Sequence, residues 1–337
     1  MENFGFWKGR KRVKVSSTCA QPVLATCFSI LLLGCNTDDM MSTENIAIDQ
    51  ENDAPPFIYA VNMSSQDMFC GGLINDMEQL DNLSTENGTF MAGFNATAFL
   101  QKGDNSLGAI VASADIYDGE STHRESGQCT ITVNAAESNG NSIELTSFEI
   151  EVSDGYPTIE KSKIYPPKHA SPLMNVAGDK QGFTTLFNRN IYVKTIPEWA
   201  WTNAHVFRGT GDDLKKLYRA YSELYAMMEQ RDFESLRSAW SLSSREKALA
   251  EANHSSPEDF FDAVGIESTF KQAPDAVLVP MRSWEDYELK SYAGGKLVRL
   301  EDSGEQSPLR IGSPSEEWTT SFTPYFSMID GRVVVSR

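Results

Sequence analysis

The side chains in this sequence that could do chemistry are five cysteines, four histidines and several adjacent carboxylates. His123, His169, His205 and His254 stand apart, without the His-x-x-x-His or His-Glu-x-x-His spacing by which a helix presents two imidazoles to zinc. There is no Gly-x-Ser-x-Gly elbow and no Walker A loop, so nucleophile-elbow hydrolases and P-loop enzymes lack their usual signature. Asp212-Asp213, Glu258-Asp259 and Glu316-Glu317 could serve acid–base chemistry, yet the first two fall where helix N-termini favour acids anyway. A glycosidase needs two acids set a fixed distance apart, which spacing along a chain cannot show. Lys102-Gly103-Asp104-Asn105-Ser106 could hold a cation through oxygen atoms, with a β-turn as the ordinary reading. No catalytic residue, metal ligand or cofactor site is assigned from these patterns.

The cysteines are more informative. Lys8, Arg10, Lys11, Arg12 and Lys14 precede an apolar run from Pro22 to Gly34, which is the charged-then-hydrophobic order of a secretory signal. The run falls short of the roughly 20 residues that a membrane-spanning helix requires. Its end, Leu32-Leu33-Gly34-Cys35, resembles the lipobox of bacterial lipoproteins. The resemblance implies removal of residues 1–34 and acylation of Cys35, so that two or more acyl chains anchor the protein without a helix. Asn36 in place of an Asp implies, by the same family's sorting rule, an outer-membrane destination; the protein is read as facing the periplasm, with surface display through the Asp38-Asp39 pair as the alternative.

Cys19 and Cys27 leave with the signal, so Cys70 and Cys129 remain in an exported chain, where a disulfide is the simplest outcome. Closing a loop of that length stabilises a fold by about 4 kcal/mol in the chain-entropy model. A reactive or metal-binding Cys70 is the sharper alternative, but Gly71-Gly72 follows it, with no Cys-x-x-Cys and no nearby His.

Charge limits the partners. The formal net charge is -18, and removal of residues 1–34 takes it to about -22 by subtracting Glu2 and the five basic residues named above. Nucleic acid is excluded as a partner, since phosphate binding needs a basic patch and none follows residue 15. A membrane contact through Cys35 and a cationic envelope protein are the partners that this charge allows, with simple solubility as the plainer explanation.

The elements that position these residues are then read from periodicity. Residues 35–55 are polar and acidic and read as a tether, followed by a β-rich, sandwich-like domain over 56–205 and an α+β domain over 206–337. Strands are expected at Phe57–Met63, Thr89–Leu100, Gly108–Tyr117, Cys129–Val133 and Ile143–Val152, with one inserted helix over Leu73–Leu83 from the spacing of Leu73, Met77 and Leu80. Pro166–Pro172 reads as a crossing loop, and Phe183–Phe187 and Ile191–Ile196 as two further strands. Trp199 and Trp201, two residues apart, share a face of an extended chain and offer either a binding platform or an interdomain packing contact.

After residue 206 the pattern becomes helical. Leu214, Leu217, Tyr218, Tyr221, Leu224, Tyr225 and Met228 form one apolar stripe, opened by Thr210 and Asp213 as a capping pair. Asp232, Ser243 with Glu246, and Ser256-Pro257 mark three further starts, and Gly265 a stop. Strands follow at Ala276–Met281, Tyr287–Ala293, Lys296–Glu301, Phe322–Ile329 and Arg332–Ser336, with hairpins at Gly294-Gly295 and Asp330-Gly331. This order, with Leu214–Tyr218, Arg231–Leu236 and Tyr325–Val334 as the matching stretches, resembles the nuclear transport factor 2-like superfamily. That likeness implies helices packed on a curved antiparallel sheet, and a function that ranges from pocket enzymes to noncatalytic binding and assembly proteins. The expectation is a noncatalytic, lipid-anchored protein-binding module, of which an inhibitor or immunity-type protein is one form. A small-molecule pocket in the C-terminal domain and an assembly factor of an envelope complex are the alternatives.

Overall fold

The computed structural model describes residues 55–337 except 86, 138–139, 166–173, 178–183, 253–254, 274 and 316–317, with backbone alone at 117 and 174–177. The signal, Cys35, nearly all of the tether, the 166–172 loop, His169, His254 and Glu316-Glu317 lie outside the described residues.

Alternation drives the first part of the chain. Tyr59, Val61 and Met63 of β1 (Phe57–Gln66) and Cys129, Ile131 and Val133 of β6 (Gln128–Glu137) turn to one interior, paired so that Val61 faces Val133. With β4 (Phe90–Asn95), β7 (Ser142–Ser153) and β8 (Tyr156–Ile164) they make a five-stranded antiparallel sheet in the order β4-β1-β6-β7-β8. A second antiparallel sheet runs β3-β2-β5-β10-β9, from β2 (Met68–Ile74), β3 (Met77–Asp81), β5 (Gly103–Ser113), β9 (Met174–Ala177) and β10 (Thr184–Val193). Side chains of both sheets enter one apolar core, in which Cys70 of β2 and Cys129 of β6 form a disulfide.

Three expectations change here. Leu73–Leu83 is a hairpin and not a helix: Asn75 and Asp76 adopt positive φ of 50° and 66°, the mirror-image turn that suits a two-residue hairpin, so Ile74 faces Met77. One strand, Thr184–Val193, stands in place of the two expected, because Asn188-Arg189-Asn190 keeps its pairing with Gly108-Leu107-Ser106. β8 adds a strand with no expected counterpart: it lies at the sheet edge with a polar, charged outward face that lacks an apolar alternation.

The helices are α1 (Gly211–Gln230), α2 (Phe233–Ala239), α3 (Ser241–Ala250), α4 (Pro257–Asp262) and α5 (Ile266–Gln272). Thr210 accepts from Asp213 N–H at 3.2 Å, Asp232 accepts from Ser235 N–H at 3.0 Å, and Ser256 with Asp259 makes a full capping box. The third expected cap is corrected. α3 begins at Ser241, directly after Trp240 in helical geometry, so Ser243 and Glu246 lie inside the helix and are buried. Gly265, at φ 84°, follows α4 and also opens α5, which had no expected counterpart.

Leu217, Tyr221, Leu224 and Met228 of α1 pack on two small sheets. One is β11-β14-β15, from β11 (Val277–Leu278), β14 (Leu309–Ser313) and β15 (Trp318–Phe322). The other is β12-β13-β16-β17, from β12 (Glu288–Tyr292), β13 (Leu297–Glu301), β16 (Phe326–Ile329) and β17 (Arg332–Val335). Phe322 closes β15 and does not begin β16, because Pro324 interrupts the run. Tyr221 is fully buried: its ring centroid is 4.7 Å from that of Phe326, and its hydroxyl accepts from Leu300 N–H at 3.2 Å. The Gly294-Gly295 turn joins β12 to β13, and a Cβ at Gly295 would come within 2.9 Å of Val206.

Candidate functional site

Where the strands before residue 194 meet the elements after residue 210, a cleft of about 980 Å³ opens. One wall is the β2–β3 hairpin, bearing Asp76, Glu78 and Asp81. The β12–β13 hairpin contributes Lys290, Tyr292 and Arg299, and Lys247 of α3 and Arg337 complete the lining; the two hairpins touch, Ala293 N–H donating to Asn75 O at 3.3 Å.

Each of these side chains is held by its surroundings. The Arg299 guanidinium pairs with Glu301 and donates to Tyr325 Oη at 3.0 Å. Its carbon lies 5.2 Å and 5.0 Å from the ring centroids of Tyr292 and Tyr325, which meet edge-to-face at 5.1 Å. Stacking of this kind fixes the plane of the guanidinium and favours its charge. Burial pushes the Tyr292 and Tyr325 hydroxyls well above their ordinary range, so both remain protonated donors.

Arg337 has no exposed side-chain surface. Its Nη1 pairs with Glu246 at 2.5 Å, its Nε donates to Ala98 O at 2.6 Å, and its Nη2 has no hydrogen-bond partner. Burial lowers its pKa and the Glu246 carboxylate opposes that shift. Glu246 also accepts from Ala200 N–H at 2.7 Å, so one carboxylate of α3 holds both the 199–203 turn and Arg337. Lys247 is next to Glu246 in the chain. Its ammonium lies 5.8 Å from the Phe99 ring, and burial followed by the charge of Arg337 pushes its pKa down to about 8.

Trp199 and Trp201 are buried beside this cleft and do not form an exposed platform. Their indole N–H groups donate to Thr97 O at 3.1 Å and Ala98 O at 3.3 Å, and Arg337 lies over both rings at 5.5 Å and 5.8 Å. The chain there is a 3-10 turn over Ala200–Asn203 and not an extended strand. With Met77, Ala98, Leu297 and Tyr325 the two indoles form a small apolar cluster that joins the two parts of the molecule.

The other residues singled out earlier lie elsewhere. Cys70 and Cys129 are sealed in the β core. His123 is buried in the β5–β6 connection with Nδ1 unpartnered, and burial lowers its pKa. His205 makes an isolated backbone bridge to Met328. Asp212-Asp213 and Glu258-Asp259 occupy the first turns of α1 and α4. Asn105 does not offer a cation site: its side chain is committed to Gln101 N–H at 2.8 Å, Gln101 O at 2.8 Å and Asn75 Nδ2 at 2.9 Å. Among the described residues no group of three or more His, Cys, Asp or Glu side chains could hold a metal ion.

Sequence reasoning missed Lys247, Arg299 and Arg337 as a set, because they come from three distant segments. The one available signal was the Trp-Ala-Trp run, whose buried indoles need acceptors and favour a cation above them. Compared with family models, curated proteins and solved structures, the chain matches none.

Proposed function

We propose that this chain is a lipid-anchored cell-envelope protein that acts by binding, with the cleft between the β2–β3 and β12–β13 hairpins as its recognition site. The lipobox-like Leu32–Cys35 supports anchoring at Cys35, and Asn36 supports the outer membrane, facing the periplasm. No helix among the described residues is long and apolar enough to cross a membrane, which leaves the acyl chains as the anchor in this reading. The two five-stranded sheets are read as a sandwich-like domain, and residues 206–337 as an α+β domain of the nuclear transport factor 2-like kind.

The observation that carries the reading is the cleft itself, with convergent charged and aromatic side chains held by buried partners at the junction of the two parts. Its carboxylate-bearing wall and the net charge of about -22 suit a protein partner that presents a cationic segment, as an envelope protein neutralised by an inhibitor or immunity-type lipoprotein would. The volume also favours a second reading, a small-molecule site, because about 980 Å³ falls in the usual range for ligand pockets. That site lies at the junction, while the interior after residue 210 is filled by Tyr221, Leu224 and Phe326.

The test is affinity purification of the full chain from its own envelope beside a Ser291→Trp variant, which places an indole in the cleft. A stoichiometric partner captured by the wild type and lost from the variant supports the partner reading. Equal capture by both sinks the cleft as the recognition site. Mass spectrometry of residue 35 checks the anchor, and an unmodified Cys35 in the mature protein would overturn it.

A further inference from the structure

One nucleophile in the cleft is left without a task. Several other lysines are engaged: Lys161, Lys163, Lys271 and Lys290 each pair with a glutamate, and Lys296 donates to Thr202 O at 2.6 Å. Lys247 makes neither an ion pair nor a hydrogen bond among the described residues. It belongs to the last turn of α3, lines the cleft, and has the Phe99 ring 5.8 Å from its ammonium. Cations are normally favoured in the last turn of a helix, and two features of the site work against that here. The nitrogen is removed from water, and of the charged groups lining the cleft the one acting on it is Arg337, a second cation. The Glu246 carboxylate is committed to Arg337 and to Ala200 N–H. Burial and the neighbouring cation push the Lys247 pKa down to about 8, so about a tenth of the side chain is free amine at pH 7, against roughly one part in three thousand for an ordinary lysine. A desolvated lysine beside another cation, on the wall of a cavity, is the arrangement by which an amine becomes a nucleophile at neutral pH.

We propose that Lys247 is a covalent attachment site for a carbonyl compound, an aldehyde or ketone that enters the cleft and condenses with the amine to an imine. The amine lone pair attacks the carbonyl carbon, and a C–N bond forms as the π pair of the C=O bond moves to oxygen. That oxygen then leaves as water with the two amine protons, and the nitrogen lone pair closes the C=N bond. Nothing is oxidised or reduced. The Arg337 charge that disfavours the ammonium also favours the oxyanion formed in the first step. Phe99, Tyr292 and Tyr325 line the same cleft, so an aromatic substituent on the carbonyl finds ring surfaces to pack against. The inference goes beyond the recognition reading: it requires that a small molecule reach Lys247, and it does not require a protein partner.

The experiment exposes the full mature chain to limiting benzaldehyde at pH 7 and fixes the imine with sodium borohydride, which delivers hydride to the imine carbon. Peptide mass spectrometry then locates the benzyl adduct. Adduct at Lys247 is expected to form at least about tenfold faster than at Lys161, Lys163 or Lys271, because the larger share of free amine outweighs the weaker nucleophilicity of a less basic nitrogen. An irreversible reagent, 2,4-dinitrofluorobenzene, read from pH 6 to pH 11, should give Lys247 a labelling midpoint about two pH units below those of the same three lysines. The proposal is overturned if Lys247 stays unmodified by benzaldehyde, if it reacts no faster than those exposed lysines, or if its labelling midpoint coincides with theirs. Partner capture by the wild type and Ser291→Trp is read separately. An inert Lys247 with capture still lost in that variant therefore strikes the covalent site alone, whereas equal capture by both strikes the recognition reading.

Discussion

Residues 57–193 and residues 211–335 are held together by different means. The first region is a set of long-range strand pairs whose two sheets are joined by a disulfide closing a separation of 59 residues. Several of its buried polar groups are satisfied by asparagines: Asn82 alone accepts from Cys70 N–H and donates to Ser65 Oγ, Met68 O and Gly88 O, all within 2.9 Å. The second region has no covalent link among its described residues and relies on one amphipathic helix lying on two small sheets around Tyr221 and Phe326. Where they meet, neutral amides give way to ion pairs and stacked guanidiniums. Neutral amides suit a place that only needs filling. Buried charges are costly to maintain, and a junction carrying several of them is where a ligand can alter the balance.

The comparison breaks most sharply at the cross-link. Replacing Cys70 and Cys129 together by alanine should cost about 4 kcal/mol, from a closed loop of 59 residues. If the two regions are stabilised separately, denaturant unfolding of that variant should show the strand-rich part melting first while the Trp240 and Trp284 environments persist. A single, fully coincident transition would show that the junction couples them.

Glu246→Gln tests that coupling directly. It leaves the buried Arg337 without its counter-charge, and breaking such a pair costs roughly 3 kcal/mol. Because Glu246 also holds Ala200 N–H, the loss should appear as earlier exposure of Trp199 and Trp201 to acrylamide quenching. Unchanged quenching would contradict the role given to this carboxylate.

Asn82→Ala should cost about 2 kcal/mol, because it strands the buried Cys70 N–H and two carbonyls. Calorimetry should place the loss wholly in the strand-rich region, and equal effects on both regions would erase the contrast drawn above.

Lys247→Met gives a smaller change of opposite sign. The folded pKa of Lys247, about 8, lies below its ordinary value of 10.5, so between these values the unfolded chain binds more protons. Wild-type stability from this group therefore rises with pH across that window. The methionine variant should be more stable than wild type by about 1 kcal/mol at pH 7, with the advantage shrinking from pH 8 and gone above pH 10.5. Thermal melts at pH 7 and pH 10.5 check it, and a pH-independent difference would assign the effect to packing.

Thr210→Ala should give the smallest effect, about 1 kcal/mol, by removing the cap on Asp213 N–H. Hydrogen exchange should localise it to the first turn of α1.

Elements that depend only on neighbours in the chain are legible in the residues themselves. The α1 stripe, the Thr210, Asp232 and Ser256 caps and the Asp330-Gly331 turn, with φ of 49° and 78°, follow from residues a few positions apart. The pairing of Cys70 with Cys129 was legible because only two cysteines remain after residue 35 and export favours oxidation. Local rules failed where a competing local choice existed. Leu73, Met77 and Leu80 fit a helical period, but Asn75 and Asp76 tolerate positive φ, and the hairpin lets Asn75 bind Phe99 O and Ser106 N–H. Ser243 and Glu246 fit a cap, but Trp240 carries α2 directly into α3, which frees Glu246 to meet a residue 91 positions away. The cleft was decided by the tertiary structure alone. Lys247, Arg299 and Arg337 are unremarkable charges in three separate segments, and they line one cleft only because the two differently built regions pack together.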